Sequence, residues 1–422
     1  MELREPGAHH AFAMEPPQRF AYAWIIVGAC ALLVALAFGA VVNIAVFLTP
    51  LAVEFGWPRA ELSLAYSIAT LGAGVGGVVM GHFADRMPVR RVALAGALAC
   101  GVSLIFLSRV ETVGGLYLCH ALLGVFGVGA IMAPLNSLAS QWLAARPGLA
   151  IGIVSAGGAA GQGLIPFFAR HLVLTEGWRQ AYLTLGLGYL ALMVPLALML
   201  RDAPRPAAAR AAGLEHSPYR LSRPAVLGVL CLAVVFCCLC MATPIVHVAA
   251  LGSDLGLGGR EAAGILTIMM VFGMAGRIAF GRLADRFGNL EAYAAASSGQ
   301  TALAFLFPYM STRAELYVLS ALFGLVFSGA MTSFILCARE YSPAGRTGLS
   351  IGMVMLFGWL GMALGAWQGG VFYDLCGDYF PSFANASIGG VLNLLMLGLL
   401  CFYTRKRKPF SANPLAPRRA PA

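Results

Sequence analysis

Charge is what this sequence lacks. Only 11% of its 422 residues are Asp, Glu, Lys or Arg, while 59% are hydrophobic. A soluble domain carries about 25% charged residues, and a chain of this size cannot face water on so few. Long polar segments are missing too. The longest, 201–223, has 23 residues, too few for a soluble output or catalytic domain. There is no GxxxxGK[ST] phosphate loop, no HExxH pair and no nucleophile elbow, so ATP-driven pumping and hydrolysis find no support and the chain is expected not to be an enzyme. The ten cysteines form no disulfide framework, because nine sit in or beside apolar runs and only Cys376 falls in an outer loop. Cys237, Cys238 and Cys240 lack a second ligand pair and read as small packing residues, so neither metal nor cofactor is expected. Residues 1–20 hold Glu2, Arg4, Glu5, Glu15 and Arg19 without an apolar core, which argues against a cleavable signal peptide.

Apolar runs long enough to cross a bilayer are abundant. They lie at about 23–49, 62–82, 92–108, 114–140, 149–169, 181–200, 224–250, 261–281, 291–310, 315–338, 347–373 and 382–403. Twelve spans put both termini on one side. That side carries 21 of the 28 basic residues and the opposite loops carry 6. The positive-inside rule then places both termini in the cytoplasm of a multi-pass plasma (inner) membrane protein. The net charge of +10 thus reflects membrane sidedness, and no nucleic-acid partner is expected. The expected organisation is a cytoplasmic tail (1–22), a six-helix bundle (23–200), a Pro- and Ala-rich cytoplasmic linker (201–223), a second six-helix bundle (224–403) and a basic tail (404–422). Arg405, Lys406, Arg407 and Lys408 in that tail read as an anchor to the lipid surface.

The two bundles are copies. GHFADR at 81–86 recurs as GRLADR at 281–286, and RPGLAIGIV at 146–154 recurs as RTGLSIGMV at 346–354, both at an offset of 200 residues. Between them Leu116, Tyr117, Ala121, Leu122, Gly124, Gly129 and Ala130 reappear as Leu316, Tyr317, Ala321, Leu322, Gly324, Gly329 and Ala330. Two parallel repeats related by an axis along the membrane normal are expected to rock about a site at their interface, which points to a transporter. The fold class expected is therefore an all-α membrane protein of twelve transmembrane helices in two pseudo-symmetric six-helix bundles.

Gly81-His-Phe-Ala-Asp85-Arg86 with Arg90 and Arg91, placed between the second and third spans, resembles the loop signature of the major facilitator superfamily, and Gly281 to Gly288 resembles its second-half copy. The glycine usual three residues after the Asp is Pro88 in the first copy. The resemblance implies a gating set of Asp85, Arg86, Asp285, Arg286, Arg146 and Arg346, in which the carboxylates bridge to arginines and to a helix N-terminus, then release as the halves tilt. Static surface salt bridges are the alternative. Within the superfamily, three stretches resemble the monocarboxylate transporters: Trp142 with Arg146 to Gly152 and Ala156-Gly157; Glu54 to Trp57 with Arg59, Glu61 and Ser63; and Gly276-Arg277 followed by Gly281. Many animal members carry an Asp one turn before that Arg; here the position is Gly273.

All 18 acidic residues fall in tails, loops or helix ends, so Arg277 is an intramembrane cation without a carboxylate near it in sequence. Such a residue costs at least about 2.5 kcal/mol unless it faces water or a partner. A guanidinium fork matches a carboxylate, which makes a small organic anion the natural partner. The alternative is that Arg277 snorkels to the surface. His247, beside helix-loosening Pro244, is the second candidate, either to bind substrate and proton or simply to pack. Asn43, Tyr66, Asn136, Gln162, Ser328, Ser333 and Trp359 are further cavity-lining candidates, with helix–helix hydrogen bonding as the competing role.

The function expected from residues and resemblance together is secondary transport of lactate- or pyruvate-like monocarboxylates by alternating access. Proton symport through His247 and Arg277 is expected, with facilitated uniport open. Partners are then the organic anion, the proton and the lipid bilayer, with the monomer as working unit. Export of drugs or amphiphiles is the runner-up, although a drug cation wants a buried carboxylate and none is found.

Overall fold

The computed structural model describes residues 16–203 and 222–404. The N-terminal tail up to residue 15, linker residues 204–221 and the basic tail from Arg405, with the anchor assigned to it, lie outside the described residues. Each of the twelve apolar runs is helical, as a membrane solvent requires of any segment whose backbone groups must be satisfied within the segment. The first half comprises α1 (Pro16–Val42), α2 (Ile44–Phe55), α3 (Arg59–Arg86), α4 (Val89–Leu107), α5 (Val113–Leu122), a π-helical turn (Leu123–Val128), α6 (Gly129–Trp142), α7 (Pro147–Glu176) and α8 (Trp178–Met199). The second comprises α9 (Arg223–Asp254), α10 (Gly259–Phe287), α11 (Asn289–Leu306), α12 (Arg313–Glu340), α13 (Thr347–Cys376) and α14 (Phe380–Thr404).

Eleven spans among the described residues are long and apolar enough to cross a membrane, α1 with α2 and α5 with α6 each counting as one. The ninth of the twelve expected runs, α11, has the length but is too polar to be among them. Its Ser297, Gln300 and Thr301 are buried inside the second bundle. Asn393 of α14 donates to Ser297 at 3.0 Å and accepts from Tyr293 at 3.1 Å, and Gln300 donates to the Cys237 carbonyl at 2.9 Å. This helix hides polar groups in protein rather than presenting apolar ones to lipid, which is why hydropathy alone under-reads it.

The halves share their internal packing. In each, the first span packs on the fifth, the second on the fourth and the third on the sixth. Details repeat at the 200-residue offset: Thr112 and Thr312 cap α5 and α12 by accepting from Gly115 and Glu315, and Tyr117 and Tyr317 donate to the carbonyls of Glu61 and Glu261. The first half is the more broken copy. Its first span is interrupted at Asn43, where Val46 N–H bonds the Asn43 carbonyl in a tightened turn, and Pro50 removes another donor just beyond. Its fourth span widens into the π-turn, whereas α12 is a continuous helix. At that turn a Cβ on Gly124 would come within 2.2 Å of the Ala69 carbonyl oxygen, so the close approach of α3 demands glycine.

Candidate functional site

The halves meet mainly through two crossings, α3 on α13 and α7 on α10, at the end of the bundle that carries the basic loops. Glycines allow both. A Cβ on Gly81 would sit 2.3 Å from the Gly348 carbonyl oxygen, and one on Gly148 2.0 Å from that of Gly281. The backbones therefore touch, and this places two carboxylates over two helix starts. Asp85 accepts from the amides of Gly348 (2.8 Å) and Leu349 (3.0 Å) at the N-terminus of α13. Asp285 accepts from Gly148 (2.7 Å) and Leu149 (2.9 Å) at the N-terminus of α7. Each anion satisfies amides that a helix start leaves orphaned and lies at the positive end of the helix dipole. Arg146 and Arg346 occupy the residue before each helix, and Arg86 and Arg286 sit in the last turns of α3 and α10. Arg339 also crosses between halves, donating to the Ser140 carbonyl at 3.4 Å.

Above these crossings lies a cavity of about 140 Å³ between the halves. Arg277 forms part of its wall. The residue is 7% exposed, and α10 continues for ten residues past it, about 15 Å toward the basic end. Its guanidinium turns inward: Nη1 donates to the Ser155 carbonyl of α7, and Nη2 lies 3.8 Å from the Met331 sulfur. Its Nε is buried without a hydrogen-bond partner, and among the described residues the cavity lining contains no Asp or Glu. The repeat explains the space around it. The position matching Arg277 in the first half is Gly77, which packs against Gly352, while Gly152 packs against the Arg277 backbone. The crossing is the same on both sides, and only one copy adds a side chain to it.

Tyr66, Gln162 and Trp359 line the same cavity. The other sequence candidates lie outside its lining. Asn43 is fully buried at the break in the first span with both side-chain polar atoms unpartnered, while its neighbours Val41 and Val42 face the cavity. Asn136 is turned back on its own helix, donating to the Met132 carbonyl at 2.9 Å. Ser328 fits against Gly273, where a Cβ would come within 2.6 Å of its hydroxyl, and Ser333 is buried with its hydroxyl unpartnered. His247 is half-buried beside α13, its Nε2 3.0 Å from the Ala366 carbonyl, its ring 5.5 Å from that of Tyr379 and packed on Gly369. The structure therefore does not bring His247 and Arg277 to one point.

The lining residues that sequence reasoning missed include six methionines, Met132, Met241, Met270, Met331, Met355 and Met362, and one hydroxyl residue, Thr70, which bonds back to the Tyr66 and Ser67 carbonyls of its own helix. Phe38, Phe327 and Phe334 join them. Apolar residues inside an apolar helix carry no signal, since hydropathy cannot separate a lipid-facing methionine from one facing the partner half.

Residues 29–366 match the Major Facilitator Superfamily, and the chain belongs to that family. It is 27% identical to monocarboxylate transporter 13 of Rattus norvegicus over 383 residues, covering 88% of this chain and 87% of the relative. Monocarboxylate transporter 11 of Homo sapiens is 25% identical over 402 residues, with coverage of 90% and 83%. Among solved structures, the E. coli fucose:proton symporter superposes with a TM-score of 0.70 at 14% identity, covering 90% of this chain and 99% of that one. A proton:xylose symporter gives 0.70 at 16% identity, with coverage of 90% and 96%. The protein is a multi-pass membrane transporter of this fold and not an enzyme.

Proposed function

We propose that the protein carries small monocarboxylate anions across the plasma (inner) membrane by alternating access, coupled to protons. The observation behind this reading is Arg277, a buried cation in the wall of a cavity whose lining, among the described residues, has no acid, with its Nε left without a hydrogen-bond partner. An intramembrane guanidinium needs a counter-anion, and a carboxylate supplies one with matching geometry. The relatives named for monocarboxylate transport support the same cargo. In this reading the carboxylate–amide contacts of Asp85 and Asp285 are the inner gate, holding the basic, cytoplasmic end shut while cargo enters from outside. Cargo neutralising Arg277 favours closure of the outer end, and tilting then pulls the two aspartates off their helix starts. His247, on the outer half of α9 against α13, is the group proposed to exchange the proton there, and Arg277 with its bound anion is the second element of coupling.

The test is uptake of labelled lactate, pyruvate and a branched 2-oxo acid into proteoliposomes, with and without an inward proton gradient. Gradient-driven accumulation that Arg277→Ala abolishes, with the variant still correctly inserted, is the expected result. Wild-type uptake by that variant removes Arg277 from the site, and equilibration without accumulation makes the protein a uniporter.

A further inference from the structure

The cavity has polar groups at two levels, and their separation specifies a longer cargo than a three-carbon acid. At the inner level Arg277 bonds Ser155 of α7. Gln162 lines the cavity seven residues further along the same helix, about 10 Å at 1.5 Å per residue. Tyr66 of α3 lines it as well, eleven residues before Gly77, the repeat mate of Arg277, and so also lies toward the outer level. Neither the Gln162 amide nor the Tyr66 hydroxyl is hydrogen-bonded to another described residue. Apart from the hydroxyl of Thr70, which bonds back to its own helix, the rest of the lining is apolar, with methionine and aromatic side chains such as Met331, Phe334, Met355 and Trp359 beside smaller aliphatic ones. A dry cavity of about 150 Å³ holds one benzene ring, and the one here measures about 140 Å³. Thioethers adapt to irregular bodies and make favourable contacts with ring edges.

We infer that the preferred cargo is an aryl monocarboxylate with a hydrogen-bonding group on the far side of the ring. Its carboxylate meets Arg277, its ring fills the methionine-lined middle, and its distal hydroxyl meets Gln162 and Tyr66. The inference rests on the carboxylate reading above and narrows it to a substrate class.

The experiment uses the full-length protein in proteoliposomes with labelled 4-hydroxyphenylacetate, phenylacetate and lactate as cargo and 4-hydroxyphenylethanol, the neutral analogue, as competitor. Expected is a KM for 4-hydroxyphenylacetate at least about tenfold below that for lactate. The KM ratio of 4-hydroxyphenylacetate to phenylacetate is expected to rise about five- to tenfold in Gln162→Leu and again in Tyr66→Phe, the size of one lost hydrogen bond. Two variants on different helices guard against one of them failing to fold. Equal KM values for lactate and the ring acids, or a ratio unmoved by both variants, overturn the inference. If lactate uptake is then still lost in Arg277→Ala, the carboxylate reading stands alone. Competition by 4-hydroxyphenylethanol as strong as by the acid overturns both.

Discussion

Neutralising the two helix-capping aspartates should open the basic end of the transporter. Each carboxylate accepts two backbone amides at a helix start. An Asn in the same place keeps one acceptor oxygen and loses the charge. A charge-assisted bond contributes about 1.5–3 kcal/mol and the helix dipole about 0.3–1 kcal/mol. Asp85 is half-buried and Asp285 exposed, so screening puts Asp85→Asn at about 2–3 kcal/mol and Asp285→Asn at about 1–2 kcal/mol. Together they amount to about 3–5 kcal/mol, roughly two to three and a half decades in the conformer ratio. Full inversion of a 99:1 preference takes about 5.5 kcal/mol, so the double variant should carry such a preference at least to parity and at the upper figure most of the way to inversion, whereas Asp285→Asn alone leaves the closed form dominant. Met87 and Phe287, exposed and matched by the repeat on either half, are suitable sites for spin labels after conversion to cysteine. Of the native cysteines only Cys376 is exposed and Cys401 partly so, which leaves few background sites to remove. A broadened, longer inter-label distance in the double variant is expected. An unchanged distribution would refute the idea that these contacts hold the end shut.

Other consequences follow from the same geometry. Gly281→Leu drives a side chain into the Gly148 backbone, where even a Cβ would come within 2.3 Å of the carbonyl oxygen; the same labels should report an open basic end, with transport lost and folding retained. His247→Gln preserves a donor to the Ala366 carbonyl but cannot take up a proton; flattening of the uptake–pH profile is expected, and an unchanged profile makes His247 a packing residue. Asn393→Ala removes both bonds of its amide and leaves Tyr293 and Ser297 without that buried partner; a loss of about 2–4 kcal/mol in stability is expected, read as a lowered Tm of the detergent-solubilised protein. Gln300→Met should cost much less, because the Gln300 Oε1 is already buried without a partner.

Much of the architecture was legible in the chain because it depends on composition and periodicity. Twelve apolar runs became twelve helical spans, their ends shifted by a few residues as the helices extend into the interfaces. The repeat made Asp85 and Asp285 equivalent, and they cross equivalently, Asp85 at the start of α13 and Asp285 at the start of α7. The resemblance implied a helix start as well as arginines for these carboxylates; backbone amides have no side-chain signature, so which helix start each carboxylate meets was not legible in the chain. Arg277 stood out for the same reason that it matters: a lone charge in an apolar run is costly and therefore visible.

Hydropathy and the repeat determined that this chain is a helical membrane protein of two similar halves, because lipid selects apolar residues wherever a backbone crosses it. Which polar residues face the cavity was decided by tertiary packing. Tyr66 and Gln162 reach it while Asn136 bonds its own helix, a difference of rotation about a helix axis that no composition records. The π-turn likewise depends on the close approach of α3, where Gly124 meets the Ala69 carbonyl, and the cavity with its methionines exists only once one half is packed on the other, since each depends on what a neighbouring backbone leaves room for.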